Sequence, residues 1–419
     1  MTSDIRTEID TICKQARLAA RSLTRTDDDS RSAALVRAAA RLRAETDRIV
    51  AANARDVASG REAGLTDALL DRLTLTPDRI TAMAEGMETV ASLADPLADL
   101  VADWTAPAGL RIEQVRIPIG VIAVIYESRP NVTADVAALC VKSGNACILK
   151  GGKEAIHSNS IIADLITEEL AGAGLDADAV QLIRRTDREA TTMLLGREDD
   201  VDVIIPRGGP GLVRAIAEHS RIPVIKHYEG VCSTFVDSAA AIDQATDIAV
   251  NAKVQRPGVC NAMENLIVHE AVAGPFFESV VPRLTEAGVE IRGCERACAM
   301  IPGARAAADD DWSTEYLDLV LAVKIVDSLD DAIDFINTHG SGHSDAIVTA
   351  DRAHADRFLA EVDSAVVYEN ASTRFTDGFE FGFGAEVGIS TNRIHARGPM
   401  GLRELTTYKY VVRGEGHVR

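Results

Sequence analysis

The sequence predicts an α/β protein of two domains, each built on a parallel β-sheet with helices on both faces. The chain has 419 residues, which exceeds what one hydrophobic core usually supports. After Pro107, short apolar runs alternate with helical segments, and this alternation is typical of parallel sheets. Hydrophobic residues make up 47% of the chain, so a globular protein is expected rather than a disordered one.

The first hundred residues are predicted to be helical. Leu35, Ala38 and Leu42 recur at helical spacing. A second helical region covers residues 66–90 and is interrupted near Pro77. A helical segment therefore precedes the first sheet.

Two segments far apart in the chain are predicted to form partly exposed strands. Residues 110–116 alternate apolar and polar side chains, which suits an exposed sheet edge or a subunit interface. Residues 404–412 also have the pattern of a strand. We expect these two strands to pair, within one chain or between subunits.

The alternating part of the chain falls into two series, with a domain break predicted near residues 235–240. The first series has strands at 120–125, 146–149, 180–183, 201–205, 224–225 and 234–236, with helices from about 154, 189 and 210. The second has strands at 266–268, 320–326, 346–348 and 365–368, with helices at 271–287 and 330–337.

Charge and targeting patterns exclude several classes of protein. The formal net charge of −20 argues against nucleic acid as the main partner, whereas an anionic substrate needs only a local basic pocket. The N-terminus lacks a basic start followed by a hydrophobic run, so no signal peptide is predicted. No apolar segment is long enough to span a bilayer. A cytoplasmic protein is expected, with no membrane partner.

Cysteine and histidine spacing predicts neither disulfides nor a metal site. The seven cysteines include no CxxC pair, which favours reduced thiols. The nine histidines include no HExxH motif. His339 and His343 are separated by Gly340-Ser341-Gly342, where a loop is favoured over a helix. We therefore expect no metal ligand among them.

Cys260 is the strongest candidate for chemistry. It follows the turn Gln255-Arg256-Pro257-Gly258 and precedes an apolar, strand-like run at 265–268. A Pro-Gly turn displaces the sulfur from regular structure, and Arg256 would favour the nucleophilic thiolate. A buried structural thiol is the usual role of a cysteine, but this one follows a polar, basic turn.

Two glycine-containing loops follow predicted strands and suit a phosphate-bearing cofactor. Gly208 and Gly209 precede Pro210, which fits the first turn of a helix whose N-terminus attracts anions. The spacing is not GxGxxG, and a plain strand-to-helix turn fits equally well. Lys150 and Lys153 flank Gly151-Gly152 and would suit a 2′-phosphate; two solvated lysines are the alternative.

Three further positions have both a structural and a functional interpretation. Asn131 is by default a helix N-cap, but its amide is also suited to donate to an oxyanion. Glu229 is a candidate general acid or base, or a carboxylate that positions another group. The alternative is an ordinary surface carboxylate. His395 either helps to bind an anionic substrate or is part of a loop, and the loop is favoured.

Taken together, these segments resemble the gamma-glutamyl phosphate reductase family, also called glutamate-5-semialdehyde dehydrogenases, within the aldehyde dehydrogenase superfamily. The resemblance covers essentially the whole chain, and the segments containing Cys260 and His395 are the most diagnostic. The motifs that carry it lie at residues 126–131, 149–154, 206–209, 226–230, 255–262 and 394–402.

The resemblance implies an aldehyde-dehydrogenase-like fold. It implies a Rossmann-like cofactor-binding domain at 1–236 and a catalytic domain at 237–400. It also implies a small β oligomerisation element, formed by strand 110–116 and a C-terminal strand within 401–419. The implied partners are a small-molecule substrate, further copies of the chain and glutamate 5-kinase, although the sequence itself shows nothing of the kinase.

The resemblance also implies a reaction and its residues. L-glutamate 5-phosphate would be reduced by NADPH to glutamate 5-semialdehyde and phosphate, the second step of proline biosynthesis from glutamate, through a cysteine thioester. Cys260 matches the family nucleophile and Asn131 the oxyanion asparagine.

Cofactor and substrate contacts are implied as well. The segments of Lys150, Gly152, Lys153, Gly208 and Gly209 match the cofactor region. Glu229 falls near the general base of the oxidative enzymes, but their Glu-Leu-Gly-Gly pattern is absent. Arg256, His395 and Arg397 are the candidates for substrate binding.

Two other functions remain open from the sequence. An oxidative or CoA-acylating aldehyde dehydrogenase could be built on the same scaffold. An inactive nucleotide-binding scaffold is the alternative from a different class, and the intact cysteine and asparagine segments count against it.

Overall fold

The computed structural model describes residues 2–419 of the chain, and within them the structure has fourteen α-helices and sixteen β-strands. The helices are α1 (Thr2–Leu23), α2 (Asp28–Ala44), α3 (Thr46–Glu62), α4 (Asp67–Leu73), α5 (Pro77–Ser92), α6 (Asn131–Lys142), α7 (Ile156–Gly172), α8 (Arg188–Leu195), α9 (Pro210–His219), α10 (Ile242–Val254), α11 (Glu270–Glu286), α12 (Glu295–Met300), α13 (Leu329–His339) and α14 (Arg352–Glu361).

The strands are β1 (Leu100–Thr105), β2 (Arg111–Pro118), β3 (Val121–Tyr126), β4 (Ala146–Gly151), β5 (Val180–Leu182), β6 (Val203–Arg207), β7 (Cys232–Val236), β8 (Met263–His269), β9 (Glu290–Gly293), β10 (Arg305–Ala306), β11 (Val320–Val326), β12 (Ser344–Val348), β13 (Val366–Glu369), β14 (Ile389–Ser390), β15 (Gly398–Pro399) and β16 (Thr406–Arg413).

The chain divides into two compact units that are not contiguous in sequence. Unit 1 contains the segment ending at Lys226 together with residues 382–388 and 400–419, and unit 2 contains residues 227–381 and 389–399. Among the described residues, no helix combines the length and the apolar character needed to cross a bilayer.

Unit 1 is built on a four-stranded parallel sheet in the order β5-β4-β3-β6. Every residue of β3 and β4 is buried, as expected for apolar strands covered on both faces. Helices α1–α5 confirm the helical N-terminal segment. The predicted interruption is also confirmed, because Pro77 is the first residue of α5 and follows a Thr76 cap.

A separate three-stranded antiparallel sheet in unit 1 has the order β1-β2-β16. The predicted pairing of the early strand with the C-terminal strand is confirmed, with Thr406 opposite Pro118 and Arg413 opposite Arg111. The prediction that β2 lies at a sheet edge is wrong. Strand β2 is the central strand, because β1, which was not predicted, pairs with it on the side opposite β16. The predicted strand at 224–225 is reduced to one bridge between Ile204 and Val224.

Unit 2 is built on a seven-stranded parallel sheet in the order β10-β9-β11-β8-β7-β12-β13. Side chains alternate between its two faces. Leu266 and Val268 pack with α10 and α11 on one face, whereas Phe235 and Ile267 join the cluster that includes residues of α13 and α14. Two parallel-sheet units with helices packed on them confirm the predicted fold class.

The structure divides the chain earlier than the predicted break after residue 236. Strand β7 pairs with β8 and β12, so it belongs to the sheet of unit 2. Apolar strands look alike in sequence whichever sheet they join, which is why the pattern misplaced β7. The C-terminal segment 400–419 groups with unit 1 rather than forming a domain of its own.

Candidate active site

The turn that carries Cys260 connects α10 to β8 in unit 2, as the Pro-Gly sequence predicted. Asn261 anchors the turn, because its side-chain amide donates to the carbonyl of Thr376 at 2.8 Å. The Thr373 hydroxyl in turn donates to the carbonyl of Asn261 at 2.8 Å. Cys260 is half-buried, so its sulfur lies outside the hydrophobic core on a well-anchored backbone.

Gly230 lies directly against the backbone of Cys260. A Cβ atom placed on Gly230 would fall 2.0 Å from the carbonyl oxygen of Cys260 and 2.6 Å from its Cα. Real side chains do not approach backbone so closely, so only glycine allows this contact. The segment containing Glu229 and Gly230 therefore has a steric role at the thiol that the sequence did not reveal.

Arg256 lies on the same turn, four residues before the thiol, and both Arg256 and Cys260 interact electrostatically with Arg374. Arg256 is exposed and Arg374 is half-buried, with its Nε donating to Gln255 at 2.8 Å. Burial and the charge of Arg256 lower the pKa of Arg374, while Asp377 and Cys260 oppose this shift. Cations beside a cysteine favour the thiolate. Arg256 was predicted here, whereas Arg374, 114 residues after Cys260 in sequence, was not.

Two histidines also approach the Cys260 thiol. One ligand-capable atom each of His227, Cys260 and His343 lies within 4.8 Å of the others. The rings of His227 and His343 meet edge-to-face with centroids 5.5 Å apart. Burial, aided by His227, lowers the pKa of His343 to about 3, so this imidazole is neutral. The expectation of no metal ligand did not anticipate this cluster.

A second cysteine, Cys232, contacts the backbone of the Cys260 turn. The Cys232 thiol donates to the Cys260 carbonyl at 3.2 Å and lies 3.6 Å from Nδ1 of His343. Burial raises the pKa of Cys232 well above its ordinary value, with smaller contributions from Asp345 and Cys260. Cys232 is therefore a protonated structural thiol, whereas Cys260 is the half-buried one near the cations.

Glu229 is half-buried and neighbours a second carboxylate, Glu315. Burial raises the pKa of Glu315, the N–H of Gly230 opposes that shift by donating to the carboxylate, and the charge of Glu229 reinforces it. Both acids belong to unit 2, so Glu229 lies outside the unit that holds the other predicted cofactor residues. No sequence motif pointed to Glu315.

In unit 1, the loops predicted to hold a cofactor lie at one edge of the parallel sheet. Strands β3, β4 and β6 end at Tyr126, Gly151 and Arg207, which are adjacent in register. Carboxyl ends of parallel strands are where α/β folds bind ligands. Gly208 and Gly209 lead into α9 with Pro210 at its first position, as predicted.

Gly208 and Gly209 at this edge differ in the space around them. A Cβ on Gly208 would fall 2.4 Å from the Glu127 carboxylate, whereas one on Gly209 would meet nothing within 4 Å. The N–H of Gly209 donates to the same Glu127 at 3.0 Å. Open space therefore lies beside Gly209 at the start of α9, while the Glu127 carboxylate accepts from the Gly209 N–H.

Lys150 and Lys153 differ in their surroundings. Lys150 is buried and its ammonium donates to the Gly151 carbonyl at 3.2 Å, next to the half-buried Gly152. Burial lowers the pKa of Lys150, with Glu154 opposing the shift. Lys153 is exposed and begins a short 3₁₀ turn. The alternative of two solvated lysines is thus wrong for Lys150.

Asn131 is the first residue of α6 and does not cap it. The cap position is Pro130, and the Asn131 amide instead donates to the Asp135 carboxylate at 2.8 Å. The default N-cap interpretation is therefore wrong. Burial raises the pKa of Asp135 to about 6, opposed by the Asn131 hydrogen bond and by Arg207.

The C-terminal pair of substrate candidates lies in a loop of unit 2. His395 is exposed in that loop with a φ of 70°, so the loop assignment is confirmed. Arg397 donates to the carboxylate and to the carbonyl of Asp363, each at 3.0 Å. The Arg397 guanidinium is thus held in place by Asp363.

The fold and these motifs define a class of protein. The sequence profile of the aldehyde dehydrogenase family matches residues 2–312 and 309–411. The chain belongs to the aldehyde dehydrogenase family, which makes it an oxidoreductase. The resemblance predicted from the segments of Cys260 and His395 is confirmed.

Within that family, several similar proteins share one name. A gamma-glutamyl phosphate reductase from Moorella thermoacetica is 52% identical over 98% of this chain and 99% of its own. The crystal structure of gamma-glutamyl phosphate reductase from Thermotoga maritima superposes with a TM-score of 0.96 at 44% identity, covering 98% of this chain and 100% of that one. An acetylating aldehyde dehydrogenase from Geobacillus thermoglucosidasius shares the fold, with a TM-score of 0.70, at 17% identity and with 100% and 99% coverage.

The family uses a nicotinamide cofactor, and unit 1 has residues that fit one. Gly209 leaves space for a cofactor group to approach the backbone at the start of α9. The buried ammonium of Lys150 lies at the same sheet edge. These groups would hold the cofactor.

Proposed function

We propose that the protein reduces L-glutamate 5-phosphate with NADPH, giving L-glutamate 5-semialdehyde and phosphate, the second step of proline biosynthesis from glutamate. The names of its relatives supply the substrate. The observation that carries the chemistry is the half-buried Cys260 on an anchored turn beside Arg256 and Arg374.

The proposed reaction begins at the Cys260 thiolate, which Arg256 and Arg374 favour over the thiol. The sulfur attacks the acyl carbon, a C–S bond forms, the C–O bond to phosphate breaks, and phosphate leaves with the bonding electrons. The cofactor, when bound, supplies the hydride that reduces the resulting thioester to a thiohemiacetal. Collapse of that species releases the aldehyde and returns the thiolate.

Two groups are proposed to stabilise the oxyanion formed during attack. They are the backbone N–H of Cys260 and the amide of Asn131, the latter from its match to the superfamily asparagine. One such donor is typically worth roughly 3 kcal/mol of barrier. The contact of Gly230 fixes the backbone from which the Cys260 N–H projects. No water has to be activated in this direction, so Glu229 needs no role as a general base; we propose it as a cofactor contact.

Substitution of Cys260 tests the nucleophile. In the oxidative direction, Cys260→Ser is expected to abolish phosphate-dependent reduction of NADP⁺ by glutamate semialdehyde, because the acyl carrier is lost. Cys298→Ser, a half-buried thiol outside the site, is the matched control and should retain activity. Mass spectrometry of the chain trapped during turnover should find the acyl group on Cys260. Near-normal activity of Cys260→Ser would disprove the proposal.

The same assay separates the proposed function from its rival. Oxidation that requires phosphate or arsenate and proceeds without CoA supports an acyl-phosphate enzyme. Oxidation that requires CoA instead would identify a CoA-acylating enzyme.

The preference for NADPH is tested at Lys150 and Lys153. If their charges contact a 2′-phosphate, Lys150→Met and Lys153→Ala should weaken NADPH binding by tenfold or more while changing NADH binding little. Lys14→Ala, which removes an exposed lysine of α1, is the control. Equal losses for both cofactors would remove the 2′-phosphate role.

We also propose that copies of the chain associate with one another and that the protein is located in the cytoplasm. The sheet β1-β2-β16 exposes apolar side chains suited to contact another copy of the chain. Association with glutamate 5-kinase stays a proposal taken from the family resemblance. The cysteines are thiols, without a disulfide among the described residues, which supports a cytoplasmic location.

A further inference from the structure

His227, Cys260 and His343, here called the thiol–imidazole cluster, have ligand-capable atoms within 4.8 Å of one another. A thiolate and two imidazole nitrogens are a ligand set that Zn²⁺ accepts in tetrahedral sites. We propose that the thiol–imidazole cluster binds a thiophilic divalent cation of the Zn²⁺ type, and that the bound cation blocks the Cys260 sulfur. Binding rests on the geometry, whereas the block on turnover rests on the proposed function of Cys260.

The topology explains why residues so far apart in sequence meet. His227 precedes β7, Cys260 precedes β8 and His343 precedes β12. In the sheet, β7 lies between β8 and β12, and all three strands are parallel. Their amino ends therefore share one edge, and the three residues lie there on neighbouring loops.

Hydrogen bonds orient both imidazoles as in metal sites. Nδ1 of His227 lies 2.8 Å from the carbonyl of Ile389. A carbonyl only accepts, so Nδ1 carries the proton and Nε2 is the unprotonated ring nitrogen of the neutral imidazole. Metal-bound histidines commonly donate their other ring N–H to a backbone carbonyl in this way.

His343 supplies an independent indication of a ligand. Its Nδ1 is 2.9 Å from the Ser344 hydroxyl, which is 2.7 Å from the hydroxyl of Thr376. Its Nε2 is buried and has no hydrogen-bond partner among the described residues. Buried polar atoms are rarely left unpaired, and a bound cation would give this nitrogen a partner.

The chemistry of the surrounding residues fits one exchangeable cation. Three protein ligands leave a fourth position for water, as in open zinc sites. Zn²⁺ binds the ionised sulfur, so binding should release the thiol proton. Coordination withdraws electron density from the sulfur and places the cation beside it, so the bound thiolate is a much weaker nucleophile toward an acyl carbon than the free thiolate.

Cobalt(II) tests binding directly, because thiolate ligation gives it a charge-transfer band in the near ultraviolet. The full-length chain, freed of metal with a chelator and kept reduced, is titrated with Co²⁺. One Co²⁺ per chain should produce the band, and one equivalent of Zn²⁺ should remove it. Cys260→Ser should lack the band. His227→Asn and His343→Asn should each weaken Zn²⁺ binding by at least about tenfold.

Matched controls keep the test decisive. Cys298→Ser and His339→Asn change a thiol and an imidazole of unit 2 outside the thiol–imidazole cluster, and both should bind Co²⁺ like the unchanged chain. His227 is half-buried, so His227→Asn keeps the test valid if His343→Asn does not fold. A band that persists in Cys260→Ser, or unchanged Zn²⁺ affinity in His227→Asn, overturns the proposed site.

Activity distinguishes this proposal from the proposed function. Zn²⁺ should inhibit the NADP⁺-linked assay with the affinity found by titration, and a chelator should restore activity. Binding that requires all three residues but leaves turnover intact would confirm the site and overturn the proposed block, whereas the role of Cys260 as nucleophile is tested separately by Cys260→Ser. Inhibition that is unchanged in His227→Asn would place the inhibitory cation elsewhere and overturn the proposed block.

Discussion

At the scale of single residues, the requirement for glycine at position 230 is the strongest constraint on the position of the Cys260 turn. A Cβ there would meet the carbonyl oxygen, carbonyl carbon and Cα of Cys260 at 2.0–2.6 Å. All three atoms belong to backbone, so no rotamer change relieves the clash. The Cys260 turn would have to move, and with it the sulfur and the backbone N–H.

Gly230→Ala is therefore expected to lower turnover by about a hundredfold, since displacing a reacting group by about 1 Å has effects of that size. Gly86→Ala in α5 is the matched control, because a Cβ there meets nothing within 4 Å and no proline follows it. The control should stay active and gain a few tenths of a kcal/mol of stability, up to about 1. Steady-state turnover and thermal unfolding measure both, and a normal rate in Gly230→Ala would contradict the steric argument.

The sequence identifies some site residues and conceals others for a physical reason. Cys260 was predictable because a Pro-Gly turn and a basic residue precede it locally. His227, His343 and Arg374 reach the thiol only through strand order and a distant loop. Local spacing carries no information on such contacts, so the prediction of no metal ligand rested on motifs alone.

At the scale of secondary-structure elements, a buried ion pair joins the two elements that flank the Cys260 turn. Lys253 near the end of α10 donates to Glu264 of β8 at 2.6 Å, and both side chains are fully buried. Burial raises the pKa of Glu264 to about 7 and lowers that of Lys253, each opposed by the partner's charge. The pair fixes how α10 meets β8.

Glu264→Gln should lower the free energy of unfolding by about 3–5 kcal/mol, because an unpaired ammonium stays buried. Lys253→Met combined with Glu264→Leu should recover most of the loss, since neither charge remains. Urea unfolding in a Trp104→Phe background leaves Trp312 of unit 2 as the reporter, because the chain has two tryptophans.

The exposed pair of Arg283 and Asp247 provides the comparison. Asp247→Asn should cost less than about 1 kcal/mol, because surface ion pairs are screened by solvent. If Glu264→Gln cost no more than this control, the buried pair would not determine how α10 meets β8.

The sequence largely predicted which segments form strands and helices, but it did not predict which strands pair with one another. Apolar runs identified β3, β4 and β11 because strands buried on both faces are apolar throughout. Strand β1 was missed because all its residues are exposed and give no alternation. Strand β7 was recognised but placed in the wrong sheet, since pairing is a long-range property.

At the scale of the whole molecule, the three-stranded sheet of unit 1 presents an apolar surface to solvent. Tyr408, Tyr410 and Val412 each expose more than half of their surface, and Trp104 meets Tyr410 edge-to-face with centroids 6.0 Å apart. Such clusters on a sheet mark contact surfaces. This supports the proposed contact between copies of the chain.

Tyr410→Lys is expected to reduce the mass of the assembly measured by light scattering, because a charge on an edge strand opposes strand-to-strand contact. Leu18→Lys replaces a comparably exposed apolar residue on α1 and should leave the mass unchanged. An unaltered mass in Tyr410→Lys would exclude this surface as the main contact.

The pairing of β2 with β16 also has a consequence for how the protein is made. Arg116 and Thr406 are separated by 290 residues, and chains emerge from the ribosome N-terminus first. One side of β2 therefore has no partner until β16, 290 residues further along the chain at Thr406, has been synthesised. Nascent or prematurely terminated chains expose that side, which makes them targets for chaperones and prone to aggregate. Quality control of this protein should thus depend on whether β16 has been made.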